Sequence, residues 1–329
     1  MSNKEKIIFF GTSVFAVPAL KALKKGGFNI VAVITNPDEM ASRKQVFTSP
    51  PVKIAAEKLG LRMLQPIKLK NDSALTSALL SLHPDLGVMV SYGKIIPEEI
   101  INIFPKRLLN IHPSLLPKYR GPSPIQYTLL NGDRETGVTI IKVDETVDHG
   151  PIVAQSAKRQ VQSDEKYKEL HDELSELGAE LLIKVLPSYL KGKIISVEQN
   201  HDAATHTKMI KKEDGRIDWH KTADHIFNMY RAFHVWPGIF TSVKRKMKNE
   251  KEQGARILKI AQCQVSKKQS NHGHEEKYIG KVYQEGNSIY VPTSKGYLQL
   301  LRVQLESGKE MPIKEFLTGH KDFIGSKLG

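Results

Sequence analysis

The sequence predicts an α/β protein in which a domain built on a parallel β-sheet is followed by a smaller all-β domain. Over the first half of the chain, short apolar runs rich in β-branched residues alternate with amphipathic helical stretches, which is the pattern of successive β-α units. From about residue 210 the apolar runs become short and are separated by turn residues, which is typical of an all-β domain. The chain has 329 residues, which is long for a single domain.

The first β-α unit opens a sheet of the Rossmann-like type. Strand Ile7–Phe10 is followed at once by Gly11-Thr12-Ser13 and by a helix that extends to about Lys25. The stretch GTSVFAVP has one glycine where a dinucleotide fingerprint needs three, so it does not predict a dinucleotide site. A second strand, Ile30–Thr35, leads into Asn36–Pro51, which is longer than an ordinary strand-to-helix connection. Such a loop is expected to be either functional or disordered.

The alternation of strands and helices continues to about residue 190. It comprises helix Val52–Leu59, strand Arg62–Leu64, helix Ser73–Leu82 and strand Leu86–Ser91. A long helix is predicted to begin after Ser163, a candidate N-cap, and to be kinked or ended by Pro187. We therefore predict a first domain over residues 1–190, a polar linker over residues 191–210 and a second domain over residues 211–329.

The second domain is predicted to be a small β-barrel of the OB-like type. Its five strands are expected at about Thr241–Val243, Ala255–Val265, Gly280–Gln284, Ser288–Pro292 and Gly296–Gln304. Trp219 and Trp236 are expected to pack in its core, because large aromatic side chains bury well. The basic loop that carries Lys244, Arg245 and Lys246 is of the kind that meets nucleic acid through phosphates on such barrels.

Composition and charge limit the classes of function. The net charge is +14, of which +5 falls within residues 1–200 and +9 within the shorter remainder, so a polyanion contacted mainly by the second half is favoured. One cysteine excludes a disulfide framework and a cysteine-based zinc site. No apolar run reaches membrane-spanning length, and the first six residues do not resemble a secretory signal. We expect a soluble, cytoplasmic protein that is a monomer and does not bind a membrane.

The stretch Leu108–Gln126, with the sequence LLNIHPSLLPKYRGPSPIQ, is the main candidate for a functional site. Its first residues form a buried strand, and ligands of open α/β sheets bind at the carboxyl ends of strands. Asn110 and His112 are two residues apart, so they share one face of that strand. An amide that donates a hydrogen bond and an imidazole that carries a proton are thereby placed side by side.

A second stretch, Gly137–Gln155, supplies an acidic partner. Its sequence GVTIIKVDETVDHGPIVAQ predicts strand Val138–Val143, an acidic turn and a returning strand Ile152–Gln155. The turn carries Asp148, and a carboxylate beside an imidazole favours its protonated form, which is one requirement of acid and base catalysis. An amide donor beside both can stabilise an oxyanion. These residues indicate transfer chemistry at a carbonyl group without a covalent enzyme intermediate.

The two stretches together resemble the hallmark of enzymes that use 10-formyltetrahydrofolate as a formyl donor. The resemblance extends from Ile7 to about His320, and is strongest to the branch of this family that formylates initiator methionyl-tRNA. It implies a Rossmann-like formyltransferase domain followed by an OB-like tRNA-binding domain. By the resemblance Asn110, His112 and Asp148 match the catalytic trio, and no metal is needed.

The resemblance also implies binding residues. The formyl-folate signature matches Ser114, Leu115, Leu116, Pro117, Lys118, Tyr119, Arg120 and Gly121, and the segment that lines the pterin pocket matches Tyr92 and Gly93. The long loop after the second strand reaches the tRNA acceptor stem in this family, which implies tRNA contacts from Arg43 and Lys44. Relatives usually have FGTPEFAVP where this chain has FGTSVFAVP, so Ser13 and Val14 are departures from the pattern.

The implied reaction is attack of the methionyl α-amine on the formyl carbon. Asp148 would orient His112, His112 would move a proton from the amine to the departing folate nitrogen, and Asn110 would donate to the oxygen that becomes negative. Three alternatives share parts of this pattern. They are a sugar N-formyltransferase with a nucleotide-sugar amine as acceptor, a formyl-folate hydrolase in which water replaces the amine, and a non-catalytic RNA-binding protein with the same fold.

Overall fold

A computed structural model describes residues 5–41, 46–244, 255–266 and 276–329 of the chain. Contacts divide the chain into two compact units. The first comprises residues 1–124, 135–161 and 170–208, and the second comprises residues 125–134, 162–169 and 209–329. Among the described residues, no helix has the length and apolar character needed to cross a membrane.

The strands up to residue 160 are β1 (Lys6–Gly11), β2 (Asn29–Ile34), β3 (Glu39–Ala41), β4 (Val46–Thr48), β5 (Met63–Leu64), β6 (Leu86–Val90), β7 (Leu108–His112), β8 (Glu135–Thr136), β9 (Thr139–Lys142), β10 (Ile152–Gln155) and β11 (Arg159–Gln160). The helices up to residue 190 are α1 (Val17–Lys25), α2 (Pro51–Lys58), α3 (Ser73–Ser81), α4 (Glu98–Ile101), α5 (Pro124–Leu130) and α6 (Tyr167–Leu190). The predicted alternation of strands and helices is confirmed, and the long loop after β2 contains the hairpin β3-β4.

The first unit is built on a seven-stranded sheet with the order β10-β9-β7-β6-β1-β2-β5. Strands β7, β6, β1, β2 and β5 are parallel, as the sequence predicts, whereas β9 and β10 continue the sheet antiparallel. The chain proceeds from β1 to β2 on one side and later to β6 on the other, so the carboxyl ends of β1 and β6 mark a topological switch point, where α/β sheets bind ligands.

Apolar side chains anchor the sheet on both of its faces. On one face, residues of β1, β2 and β7 pack against α3, α4 and the segments next to them. The cluster consists of Ile8, Phe10, Ala32, Ile34, Leu69, Leu75, Leu79, Tyr92, Ile96, Ile100, Ile101, Phe104 and Leu108. On the other face, α6 approaches β7 so closely that a Cβ on Gly178 would lie 2.8 Å from Cγ2 of Ile111. Ile111 lies between Asn110 and His112, and alternation along the strand therefore turns those two side chains away from α6.

The start of α6 differs from the prediction. The helix begins at Tyr167, so Ser163 is not its N-cap. The buried Arg231 donates from Nε to the carbonyl of Glu165 and from Nη2 to that of Gln162, both at 2.8 Å, which holds this segment outside the helix. Pro187 lies inside the last turn of α6, which continues to Leu190.

The second unit is an antiparallel β domain, as the sequence predicts. Its elements are α7 (Ala223–Ala232), β12 (Ile239–Lys244), β13 (Ala255–Ser266), β14 (Tyr283–Glu285), β15 (Ser288–Pro292), β16 (Tyr297–Leu305), β17 (Met311–Pro312) and α8 (Ile313–Gly319). Five strands follow the order β12-β13-β16-β15-β14, and β17 pairs with β16. The last residues link the two ends of this order, because Leu328 bridges to Val243 and Lys327 bridges to Lys281.

One expectation for the core of the second unit is wrong. Trp219 is buried, and its indole Nε1 donates to the hydroxyl of Thr241 at 3.1 Å. Trp236, by contrast, is 55% exposed, in the turn between α7 and β12. Its neighbour Val235 is exposed as well, so this turn does not contribute its large apolar side chains to the core.

Candidate active site

Strand β7 presents Asn110 and His112 at the carboxyl edge of the sheet. Both side chains are buried, with 7% and 4% exposure respectively. The strand is held on one side by β6 in parallel and on the other by β9 in antiparallel pairing, so neither residue belongs to an edge strand. Asn110 is paired with both neighbouring strands and His112 is paired with Thr139 of β9, so backbone pairing fixes both positions, which suits residues that must hold a reacting group in place.

Asp148 brings the site together from the turn between β9 and β10. Its Oδ1 accepts a hydrogen bond from Nδ2 of Asn110 at 3.1 Å and lies 3.4 Å from Nδ1 of His112. Its Oδ2 accepts from the backbone N–H of Gly121 at 2.8 Å. The structure therefore places Asn110 and His112 of the predicted trio against the same oxygen of Asp148, and adds a backbone donor from the loop that follows β7. Asp148 adopts a φ of +53°, which is uncommon for a residue other than glycine.

The contacts of His112 define its charge. Its Nε2 lies 2.9 Å from the carbonyl oxygen of Tyr119, and its Nδ1 faces the carboxylate of Asp148. A carbonyl and a carboxylate both accept, so this arrangement favours a hydrogen on each ring nitrogen, which is the imidazolium form. Burial alone would lower the pKa of His112, but the charge and hydrogen bond of Asp148, together with the Tyr119 carbonyl, raise the pKa above its ordinary value.

Asp148 is held in the complementary form. Burial alone would raise the pKa of its carboxyl group, but the positive charge and hydrogen bond of His112 and the donors from Gly121 and Asn110 bring the pKa below its ordinary value. Both shifts favour the form of the pair in which His112 is an imidazolium and Asp148 is a carboxylate. Asn110 uses one Nδ2 hydrogen on Asp148, and its second Nδ2 hydrogen has no protein acceptor within the described part of the chain.

The loop over residues 114–121 closes over the end of β7. The buried hydroxyl of Ser114 donates to the carbonyl of Lys118 at 2.5 Å, and the hydroxyl of Thr139 on β9 donates to the carbonyl of Ser114 at 2.7 Å. Gly121 has a φ of +107°, and a Cβ there would lie 2.8 Å from the carbonyl oxygen of Thr207. Glycine is therefore needed at the position whose N–H binds Asp148.

The side chains of the predicted folate signature are mostly directed into the protein. Ser114, Leu116, Tyr119 and Arg120 are buried, Leu115, Pro117 and Gly121 are partly buried, and Lys118 is exposed. Lys118 places its Nζ over the ring of Tyr119, 4.8 Å from the centroid. The buried members of the signature shape the loop, whereas Leu115, Pro117, Lys118 and Gly121 have surface that a ligand can reach.

Tyr92 and Gly93 lie at the switch point, beyond the carboxyl end of β6. The ring of Tyr92 belongs to the apolar cluster, where it meets Phe10 edge to face at 5.7 Å, and burial raises the pKa of its hydroxyl to about 12. Its carbonyl accepts from the hydroxyl of Thr12 at 2.8 Å and from Nδ2 of Asn36 at 3.3 Å. The side chain is thus a core residue, and a ligand at the switch point would meet the backbone of this segment.

Most of the predicted tRNA-binding residues lie outside the described residues. These are Arg43, Lys44, Arg245 and Lys246, and of Lys244 the structure describes only the backbone, at the end of β12. Within the described ranges, no group of three or more His, Cys, Asp or Glu side chains has the arrangement of a metal site.

Sequence reasoning missed the residues that support the site from residues 199–207, a stretch assigned to the linker. Thr205 accepts from the backbone N–H of Arg120 at 2.8 Å through its carbonyl, and from that of Tyr119 at 2.8 Å through its hydroxyl. Gln199 donates to the carbonyl of Asp148 at 2.9 Å. The segment is polar and irregular, and nothing in its sequence indicates that it returns to the catalytic loop.

Comparison with known proteins defines the family. Residues 5–186 match the profile of a family described as Formyl transferase, and residues 209–321 match the one described as Formyl transferase, C-terminal domain. A methionyl-tRNA formyltransferase of Chloroflexus aurantiacus is 41% identical over 322 residues, which cover 97% of this chain and 98% of the relative. The chain belongs to the methionyl-tRNA formyltransferase family.

A further relative is similar in sequence, and two solved structures are similar in fold. A methionyl-tRNA formyltransferase of Caldanaerobacter subterraneus is 36% identical over 315 residues, which cover 96% of this chain and 97% of the relative. The fold is similar to that of an N-formyltransferase from Helicobacter canadensis that was solved with folinic acid and dTDP-3-aminofucose. The TM-score is 0.65 at 19% identity, and the match covers 93% of this chain and 100% of the Helicobacter chain. HypX from Aquifex aeolicus, solved with tetrahydrofolic acid, has a TM-score of 0.60 at 15% identity, with coverage of 94% of this formyltransferase and 46% of HypX.

Proposed function

We propose that this protein transfers the formyl group of 10-formyltetrahydrofolate to the free α-amine of initiator methionyl-tRNA, giving N-formylmethionyl-tRNA for translation initiation. The observation that carries the proposal is the convergence of Asn110 and His112 on one oxygen of Asp148, at 3.1 and 3.4 Å, in a chain of this family. The names of the relatives over nearly the full chain length support the acceptor.

His112 acts first as an acid. The neutral amine attacks the formyl carbon, which forms a carbon–nitrogen bond and places a negative charge on the formyl oxygen and a positive charge on the amine. The imidazolium gives its proton to N10 of the folate as the bond from carbon to N10 breaks. The neutral imidazole then takes the proton that the amine must lose. His112 thus ends the cycle as it began, and one proton has moved from the amine to the folate product.

The geometry suggests which ring nitrogen exchanges the proton. The contact of Nδ1 with Asp148 is 3.4 Å, whereas Nε2 is 2.9 Å from the Tyr119 carbonyl. The longer contact is the weaker one, so Nδ1 is the nitrogen that turns to the substrate while Nε2 remains anchored. Asp148 keeps its other oxygen on the Gly121 N–H throughout, and so stays in place.

Asn110 stabilises the oxyanion. Its Nδ2 has one hydrogen on Asp148 and a second one for the formyl oxygen. The first bond fixes the orientation of the amide, so no reorganisation is needed as charge develops on the substrate. Positioning of two bound substrates next to this donor supplies the remaining acceleration.

The loop over residues 114–121 and the backbone at Tyr92 and Gly93 would hold the folate. At the site the folate would deliver the formyl carbon and accept a proton on N10.

We further propose that the basic residues of two loops contact tRNA phosphates, which suits the net charge of +14. These residues are Arg43, Lys44, Lys244, Arg245 and Lys246. The predicted division at residues 190 and 211 is retained as a proposal. We also propose a monomeric, cytoplasmic enzyme; a single, buried cysteine fits a reducing compartment.

The test is transfer of labelled formyl from 10-formyltetrahydrofolate to several acceptors in parallel. These are charged initiator tRNA, uncharged tRNA, elongator methionyl-tRNA and a dTDP-amino sugar. We expect transfer to the charged initiator alone. Transfer to the sugar, or release of formate without an acceptor, would overturn the proposal while leaving the roles of the trio open to test.

A further inference from the structure

The buried side chain of Gln199 touches the turn that carries Asp148. Gln199 is 4% exposed, and the pairing of Ile152 with Val197 brings its backbone alongside the start of β10. Its Nε2 donates to two backbone carbonyls of the turn, that of Asp148 at 2.9 Å and that of Gly150 at 2.8 Å. Both amide hydrogens are thereby used on the turn.

The other end of the same amide binds the catalytic loop. Oε1 of Gln199 accepts from Nε of Arg120 at 3.1 Å and from Nη2 at 2.8 Å. Because a guanidinium only donates, the oxygen of the amide must face Arg120 and the nitrogen must face the turn, so the orientation of the amide is fixed by its partners. Two donated and two accepted bonds use its full hydrogen-bonding capacity, and a buried amide so placed has one stable position.

Arg120 lies between the two backbone groups that hold the catalytic residues. The carbonyl of Tyr119 binds His112, and the N–H of Gly121 binds Asp148. Gln199 therefore joins the turn that carries the carboxylate to the loop that orients both partners of the ion pair. The left-handed φ of +53° at Asp148 is an uncommon conformation, and two bonds from Gln199 to the turn help to maintain it.

The guanidinium of Arg120 is also held by His201. Its Nη2 also donates to Nδ1 of His201 at 2.8 Å, so this nitrogen of His201 accepts. The ring of His201 stacks on that of His149 at 4.1 Å, and Nδ1 of His149 lies 2.7 Å from Oδ2 of Asp144. These contacts leave Arg120 little freedom to follow a displaced turn.

We propose that Gln199 is a positioning residue for formyl transfer, which holds the Asp148 carboxylate at the distance from His112 and Asn110 that the reaction requires. The inference rests on the proposed function of the trio. Gln199 acts through the turn and the loop, and does not touch the reacting atoms.

The experiment compares Gln199→Glu with Gln199→Leu in the full-length enzyme. In Gln199→Glu a carboxylate still accepts from Arg120, but its second oxygen faces two carbonyls and repels the turn. When that carboxylate is protonated, its O–H restores one of the two lost bonds. Gln199→Leu loses all four bonds and has no group to titrate. Gln160→Glu is the matched control, since the exposed Gln160 makes its bond to Glu135 within the two-stranded sheet of β8 and β11.

We expect kcat of Gln199→Glu to fall about 100-fold at pH 8, the scale of a displacement of about 1 Å in a catalytic group. The ratio of its kcat to that of wild type should rise as the pH is lowered, and more steeply than the ratio for Gln199→Leu, whose pH dependence changes only through His112. Binding of 5-formyltetrahydrofolate, a non-reactive probe, should stay within a few-fold of wild type. Near-normal kcat in both variants, or parallel pH profiles for the two, would overturn the proposal.

A measurement without substrate tests the positioning role of Gln199 independently of the proposed function. The NMR titration of His112 in Gln199→Leu needs no substrate, and we expect it to shift to lower pH than in wild type and in Gln160→Glu, because the carboxylate is no longer held beside the ring. An unshifted titration in a folded variant would refute the positioning role. If wild type formylated a different acceptor, the proposed function would fail while the shift in this titration would still stand.

Discussion

Replacement of Asp148 by asparagine is the sharpest test of the ion pair, because it removes the charge and retains the shape. In Asp148→Asn the remaining side-chain oxygen can still accept from the Gly121 N–H, as Oδ2 of Asp148 does at 2.8 Å. The new amide nitrogen takes the place of Oδ1. It meets Nδ2 of Asn110, so two donors face each other, and it donates to Nδ1 of His112 only if that nitrogen carries no hydrogen. The variant should therefore hold His112 as a neutral ring with its hydrogen on Nε2.

The loss of stability follows from those contacts. Two charge-assisted hydrogen bonds disappear, those from Asn110 and from the imidazolium of His112, and each bond of this kind contributes about 1.5–3 kcal/mol. The reversed bond from the new amide to His112 returns about 1 kcal/mol. We expect the free energy of unfolding to fall by about 2–5 kcal/mol, measured by urea denaturation, with the exposed Asp322→Asn as control.

The pH dependence of that loss has a defined sign. The raised pKa of His112 contributes stability that is complete below its unfolded value of about 6.5 and is lost as the pH rises through the folded value. The lowered pKa of Asp148 contributes stability above its unfolded value of about 3.9 that is lost as the pH falls through the folded value. The difference between wild type and Asp148→Asn should therefore be largest between about pH 4 and 6.5 and should shrink at alkaline pH.

Turnover should fall more than stability. A neutral ring in the wrong tautomer cannot give a proton to the folate nitrogen, and an equivalent change in a hydrolase triad lowers kcat about 10⁴-fold. Single-turnover formyl transfer with saturating substrates measures the loss. A decrease of less than about 10-fold with unchanged pH dependence would refute the role of the ion pair.

Three further predictions concern other residues. Asn110→Ala removes the oxyanion donor and should lower kcat by about 100- to 1000-fold with folate binding retained, and near-normal turnover would contradict its role. Gly121→Ala places a Cβ 2.8 Å from the Thr207 carbonyl oxygen at a φ of +107°, so kcat and thermal stability should both fall. The losses should be larger than in the control Gly192→Ala, because Gly192 also has a positive φ but a Cβ there meets no atom within 4 Å. Acrylamide should quench the fluorescence of Trp236, which is 55% exposed, so Trp236→Phe should remove the quenchable fraction, whereas its persistence would mean that the turn is buried.

The proximity of Asn110, His112 and Asp148 could be predicted from the sequence, because their placement follows rules of strand geometry, whereas their catalytic roles came from the family resemblance. Asn110 and His112 are two residues apart on a buried strand, and Asp148 follows a strand that pairs with it. The backbone partners could not be predicted in this way. The Tyr119 carbonyl and the Gly121 N–H are groups that almost any residue offers, and their use depends on how the loop folds back.

Gln199 was missed for a related reason. A buried amide in an irregular segment has no periodicity, and its four partners are brought together only by the return of the chain to the loop after β7. The misplaced start of α6 has a similar origin, since the buried Arg231 binds the carbonyl of Glu165, which a helix beginning after Ser163 would have used. Contacts distant in sequence override local preference in both cases.

The resting charge of His112 is the centre of this account, since it makes the residue an acid first and a base second. It is measured directly by the ¹⁵N NMR signals of the His112 ring in wild-type protein near neutral pH, assigned with His112→Gln. We predict that both ring nitrogens carry hydrogens, and that one loses its hydrogen in Asp148→Asn. A neutral ring in wild type, unchanged in that variant, would contradict the account.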